Sequence, residues 1–308
     1  MDDKTPEQPS VSIARELIES ARLFSLLAGA LLYALGAGIA AYLGETIDWS
    51  TYFLGQGAVT MLQLSSYWLN AYFERTNQDP FQTKAPRRSA NGQPEPPRVV
   101  FLQVAAAALT AGAVLTVLLA VQGELNPAAF LMLGIAFMLG VVYSVPPVRL
   151  AVSGYGELVT SVLVANLFPA LAYLLQAGDL HPLLAQLTFP LTFLFLAATL
   201  ALALPAYYQE FKLEKKTMMQ RLGWQRGMTL HNILIAAAYL LLSASVLGGL
   251  EWRLAFPAFL SLPLAVFQIW QINNIANGGK PRWRMLTITA MATVGLAAYF
   301  MNLALWIV

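Results

Sequence analysis

The chain has 308 residues, of which 58% are apolar and only 11% charged, with a formal net charge of +2 and no cysteine. Soluble domains carry about 25% charged residues, so water is not the solvent for most of this surface. The missing cysteine excludes disulfides, thiolate metal sites and a cysteine nucleophile, and the small net charge points to no particular partner.

Residues 1–23 read as a cytoplasmic tail. The opening MDDKTPEQPS is acidic, polar and Pro-containing, without the basic start and small-residue exit of a cleavable signal peptide. Ala14, Leu17, Ile18 and Ala21 then fall on one helical face, with Arg15, Glu16, Glu19 and Arg22 elsewhere. This pattern predicts a short amphipathic helix anchored in the membrane interface.

From there to the end, apolar runs recur, each long enough to cross a hydrocarbon core of about 30 Å as a helix. They predict spans at 24–43, 51–73, 99–121, 127–145, 158–176, 184–207, 228–247, 254–272 and 285–308. The fold class is therefore an all-α, integral, multi-pass membrane protein of about nine transmembrane helices in one domain, 24–308. In a bacterium its place is the cell membrane.

Basic residues resist translocation and accumulate on the cytoplasmic side. Of the 18 Lys and Arg residues, all but Arg253 fall in the tail and in alternate connections. The N-terminus is thus expected in the cytoplasm and the C-terminus outside. The two longest polar connections, 74–98 and 209–227, share the cytoplasmic side, where any chemistry is expected.

Each long loop starts with carboxylates near a helix end and continues into basic residues. In NAYFERTNQDPFQTKAPRRSANG, Asn70 and Glu74 lie four apart on one helix face, Asp79 follows, and Lys84, Arg87 and Arg88 come next. In EFKLEKKTMMQRLG, Glu210 and Glu214 are again four apart, with Lys215 and Lys216 adjacent. Carboxylates that hold Mg²⁺ together with substrate phosphate oxygens, flanked by anion-binding cations, suit a diphosphate. Basic residues in cytoplasmic loops also serve orientation alone, and carboxylates beside them balance charge.

Several other residues have simpler readings. Gln63, Asn70, Gln103 and Asn166 lie within spans and are expected to face the bundle interior, mostly as interhelical hydrogen bonds. His181 reads as a surface residue of an external loop, and His231 as a satisfied polar contact. Gly29, Gly36 and Gly38 read as helix packing. No nucleotide or nucleic-acid signature stands out, so nucleic acid is not an expected partner.

Nearly all spans resemble the UbiA superfamily of intramembrane prenyltransferases, most closely its menaquinone-type quinone-biosynthesis branch. The most specific stretch is YSVPPVRLAVSGYGELVTSVLVANLFPALAYLLQAG, residues 143–178; APRRSANG and KKTMMQRLG also match family patterns. Asn70, Tyr72 and Phe73 fit the first family motif, while Glu74 stands where an aspartate is usual, Ala71 replaces another, and Asp79 sits about one residue from the last. Glu210 and Glu214 stand for the second aspartate pair, with about four linker residues fewer.

The resemblance implies helices around a central cavity, Mg²⁺-bound diphosphate at the cytoplasmic mouth and an isoprenoid tail in an apolar tunnel. It implies transfer of a prenyl group from a polyprenyl diphosphate to a lipid-soluble, aromatic, quinone-precursor acceptor. Asn70, Glu74, Asp79, Glu210 and Glu214 are then the catalytic set, the four carboxylates being the metal ligands. Lys84, Arg87, Arg88, Arg149 and Lys215 are the phosphate contacts; Tyr143 and Glu157 orient the acceptor or pack and cap helices. The unorthodox acidic motifs leave two alternatives, a non-catalytic isoprenoid-binding descendant and a terpene cyclase of the same superfamily.

Overall fold

The structure, a computed structural model, describes residues 16–76, 97–207 and 216–307. In chain order the helices are α1 (Leu23–Tyr42), α2 (Trp49–Thr76), α3 (Arg98–Gln122), α4 (Pro127–Ser144), α5 (Gly156–Val162), α6 (Phe168–Ala177) and α7 (Pro182–Ala203). There follow α8 (Met218–Leu222), α9 (Trp224–Leu247), α10 (Trp252–Phe259), α11 (Leu262–Ala276) and α12 (Trp283–Trp306).

Eight stretches among the described residues are long and apolar enough to cross a membrane: α1, α3, α4, 156–177, α7, α9, 252–276 and α12. The chain is an integral multi-pass membrane protein. Helix α2 stands apart. It fills the second predicted span with 28 residues but carries Gln56, Gln63, Ser65, Ser66 and Asn70, a polar series too dense for that group. It lies along α3, and its Ser65 hydroxyl donates to the Ala105 carbonyl.

The core lies between α1, α6, α7, α9 and α12, where Tyr33, Leu35, Phe168, Leu171, Leu187, Phe195 and Leu200 are fully buried. Small residues permit this closeness in a membrane, where backbones gain by direct packing. A Cβ on Gly36 would overlap the Pro169 carbonyl of α6, so α1 and α6 touch through their backbones. Around this core, α3 and α4 expose most of their apolar side chains.

Two predicted spans contain interruptions. The segment 156–177 passes through a π-helical stretch, Leu163–Leu167, just before Pro169, whose missing N–H removes a rung from the α-helical ladder. The span predicted at 254–272 is broken between α10 and α11 at Leu260 and Ser261, where Pro263 starts the second piece. Ser261 closes the break by donating to the Ala258 carbonyl and pairing with the Tyr239 hydroxyl.

Of the intramembrane polar residues, Gln63 and Asn70 are buried, and the Asn166 amide donates to Thr188. Gln103 departs from expectation and is exposed on the outer face of α3. It lies five residues after Arg98, about 7.5 Å along the helix and within its first two turns. His231 is buried and satisfied, its Nε2 accepting from Gln268 at 2.9 Å and its Nδ1 facing Asn232 Oδ1 at 3.0 Å. His181 caps α7 by accepting from the Leu183 amide.

Candidate functional site

A cavity of about 450 Å³ opens at the end of the bundle where α1 and α5 begin and α4 and α7 end. One wall is polar, with Arg22, Ser25, Tyr143, Glu157, Thr160, Thr199 and Thr217; Phe24, Leu202 and Met291 belong to the apolar remainder. Phe24 is fixed there by stacking on Phe195, ring centroids 5.8 Å apart.

Tyr143 owes its place to the end of α4. Pro146 and Pro147 stop the helix, because proline lacks an N–H and disfavours helical conformation in the residue before it. Ser144 then donates to the Ser66 carbonyl at 2.6 Å, locking this helix end onto α2. The neighbouring Tyr143 is buried, with its hydroxyl paired to Thr160 and accepting from Arg22 Nη1 at 2.5 Å.

Arg22 is the residue that precedes α1, with φ of +51°. Its guanidinium lies 5.4 Å from the Tyr67 ring centroid and 5.8 Å from that of Tyr143, in reach of a cation–π attraction to both. Tyr143, Tyr67 and the negative charges of Glu74 and Glu157 raise its pKa above the ordinary value against the opposing effect of burial. The cation is therefore permanent.

Arg149 follows the two prolines in a left-handed conformation, φ +39°, which costs a non-glycine residue about 1–2 kcal/mol. It is 6% exposed, and its Nε and Nη2 have no hydrogen-bond partner among the described residues. Burial lowers its pKa, and the nearby charge of Glu74 acts the other way. Glu74 thus sits close enough to influence both Arg22 and Arg149. One turn earlier on the same helix, Asn70 is 4% exposed and its buried Oδ1 has no hydrogen-bond partner among the described residues.

The connection after α7 reaches the same cavity. Glu157 accepts from the Met218 amide through both carboxylate oxygens, and Thr217 and Gln220 form a capping box at the start of α8. Gln220 also donates to the Tyr207 carbonyl at 3.2 Å. Arg221 donates to the Ser153 carbonyl and lies 4.2 Å from the Tyr155 ring centroid, while the Lys216 amide donates to Val152. The 150–157 and 216–221 segments are consequently clamped together.

The structure therefore groups Asn70, Glu74, Tyr143 and Arg149 at one end of the bundle. Asp79, Lys84, Arg87, Arg88, Glu210, Glu214 and Lys215 lie outside the described residues. Among the described residues no group of three or more His, Cys, Asp or Glu gathers as a metal site. An unpartnered buried amide oxygen on Asn70, beside Glu74, nonetheless has the oxygen chemistry that a hard divalent cation takes.

Sequence reasoning missed Arg22, Ser25, Tyr67, Thr160 and Thr217. Arg22 resembles any topology-setting cation, and the hydroxyls are scattered along the chain. The available signal was an arginine directly abutting an apolar span, where an aromatic partner would be needed to bury it.

Three comparisons bear on this arrangement. The model of the UbiA prenyltransferase family matches residues 30–291. Similar solved structures include a UbiA homologue from Archaeoglobus fulgidus bound to DMAPP and Mg²⁺, with TM-score 0.66, 21% identity, and 95% of this chain and 99% of that one covered. A UbiA homologue from Aeropyrum pernix K1 gives TM-score 0.62 at 15% identity, covering 92% and 97%. A structure concerning digeranylgeranylglyceryl phosphate synthase in membranes gives 0.59 at 13%, covering 95% and 100%. No curated protein matches by sequence.

Proposed function

The chain belongs to the UbiA prenyltransferase family, and from that membership we propose that it transfers a prenyl group from a polyprenyl diphosphate to a lipid-soluble acceptor, an aromatic quinone precursor. The observation that carries this reading is the meeting of Arg22, Tyr143 and Glu157 at the polar wall of a cavity otherwise lined by apolar side chains. An amphiphile with an anionic head and a hydrocarbon tail fits that division. A solved UbiA homologue bound to DMAPP and Mg²⁺ supports the same ligand class.

In the proposed reaction the bond between the allylic carbon and the diphosphate oxygen breaks, and its electron pair leaves with the diphosphate. A carbon of the acceptor supplies the pair for the new bond and then loses a proton. Mg²⁺, when bound, supplies positive charge against the charge developing on the leaving group. Asn70, Glu74, Asp79, Glu210 and Glu214 would hold it.

Arg22 and Arg149 provide fixed positive charge within a water-poor setting, where such charge acts more strongly than in water. The unpaired donors of Arg149 gain the partners they lack when phosphate oxygens arrive. Lys84, Arg87, Arg88 and Lys215 are proposed as further phosphate contacts. Phe24, Leu202 and Met291 keep water from the reacting carbon.

The test is transfer from radiolabelled geranyl diphosphate in membranes, with and without EDTA, for the natural chain and Glu74→Ala. Loss of product on chelation and in the variant is expected; transfer indifferent to both refutes the metal role. Ligand retention without turnover in the natural chain would instead favour a non-catalytic isoprenoid-binding protein.

A further inference from the structure

Four residues, Gln63, Ser25, Tyr67 and Gly29, form a buried network beside Arg22. Gln63 Nε2 donates to the Ser25 carbonyl at 2.9 Å, the Ser25 hydroxyl at 3.0 Å and the Tyr67 hydroxyl at 3.1 Å. The Tyr67 and Ser25 hydroxyls are themselves 2.5 Å apart. All three residues are buried, and Tyr67 presents its ring to the Arg22 guanidinium. Gly29 completes the set, because a Cβ there would lie 2.7 Å from Gln63 Oε1.

The residue after Tyr67 in α2, Trp68, donates its indole N–H to the Leu17 carbonyl at 3.1 Å, so the short helical segment at 16–20 is tied to that helix. Ala21 is buried behind it, whereas Ile18 is exposed. The backbone around Arg22 is thus held from both sides, by Trp68 before it and by Gln63 through Ser25 after it. This matters because Arg22 occupies a backbone region that an arginine rarely adopts, and surrounding contacts must over-determine such a conformation.

We propose that Gln63 and Tyr67 are positioning residues that hold Arg22 in the cavity for the diphosphate head, with Gly29 glycine because Gln63 needs its space. The inference rests on the prenyl diphosphate reading. Its chemistry is that of an orienting shell: a charged group aimed by a closed hydrogen-bond network binds an anion without the entropy loss of ordering a free side chain.

The experiment measures binding of geranyl diphosphate with Mg²⁺ to the purified full chain in detergent, by titration calorimetry, for Arg22→Gln, Gln63→Leu, Tyr67→Phe, Gly29→Ala and the double variant Arg22→Gln/Gln63→Leu. Gln63→Leu and Gly29→Ala are each expected to weaken binding about tenfold, the upper scale of one lost neutral hydrogen bond. The double variant should bind no more weakly than Arg22→Gln alone, because two residues acting through one guanidinium are not additive. Gln63→Glu, which keeps the length of the side chain but replaces the Nε2 donor to Ser25 and Tyr67 with an acceptor, should recover none of the affinity.

Additive losses in the double variant, or equal binding by Gln63→Leu and natural protein, overturn the positioning role. Failure of the natural protein to bind the diphosphate at all overturns the proposed function instead. Thermal melts separate either result from misfolding, since a purely structural defect would lower the melting temperature without sparing the double variant.

Discussion

Glu157 and Met218 are joined by a two-oxygen cap, the backbone amide lying 3.2 Å from one carboxylate oxygen and 3.1 Å from the other. The first turn of a membrane helix thereby organises the start of another helix 61 residues later, beside the candidate site.

Glu157→Ala should remove that cap at a cost of about 1–2 kcal/mol, the usual scale for losing an N-terminal acceptor. Thermal unfolding in detergent would show it, and Glu157→Gln, which keeps one carbonyl acceptor, should lose less. Equal melting temperatures for all three proteins would mean that the Thr217–Gln220 box alone holds α8.

Arg149→Leu should separate stability from binding. Removing a buried guanidinium whose Nε and Nη2 have no partner among the described residues should relieve about 1–3 kcal/mol, so the melting temperature should rise. Affinity for geranyl diphosphate should fall about tenfold or more. A variant that is less stable yet binds normally would show that Arg149 is a topological anchor.

Asn70→Leu is expected to lower turnover by about a hundredfold, the scale of losing one preorganised electrostatic contact. Because its buried Oδ1 has no partner among the described residues, the substitution should leave the melting temperature unchanged or higher. Raising Mg²⁺ in the radiolabel assay should restore part of the rate if the oxygen belongs to the metal shell.

Gly36→Ala should destabilise by about 1–3 kcal/mol, since a methyl group there meets the Pro169 backbone rather than a side chain able to move. Gly134→Ala is the matched control. Nothing lies within 4 Å of its added methyl, and alanine favours the helix by about 0.5–1 kcal/mol. Opposite shifts in melting temperature are the expected outcome.

The membrane-spanning architecture was readable because apolar length is a one-dimensional property, and a helix start such as Asn126 before Pro127 carries its own local signal. The interruptions were harder. A proline says that the ladder loses a rung, but whether the chain answers with a π segment at Leu163–Leu167 or a break at Ser261 depends on neighbouring helices. Gln103 shows the same limit, since polarity within a span does not distinguish a side chain turned into the bundle from one on its outer face.

That Asn70, Glu74, Tyr143 and Arg149 gather at one end of the bundle was legible, because each stands at or near a helix end. Arg22 was not. Its significance comes from Tyr67 and Tyr143, which lie 45 and 121 positions away and become its neighbours only when three helices assemble.

The π segment at Leu163–Leu167 gives a single rod two helical phases. Each residue of an α-helix advances about 100° around the axis, so one surplus position turns everything beyond it by that angle. Glu157 and Thr160 can therefore look toward the cavity while Pro169 and Phe168 meet the interior on a heading that an unbroken helix would not provide. Shortening this stretch by one amino acid would rotate the half of the span beyond it as a block, carrying the Pro169 carbonyl away from Gly36.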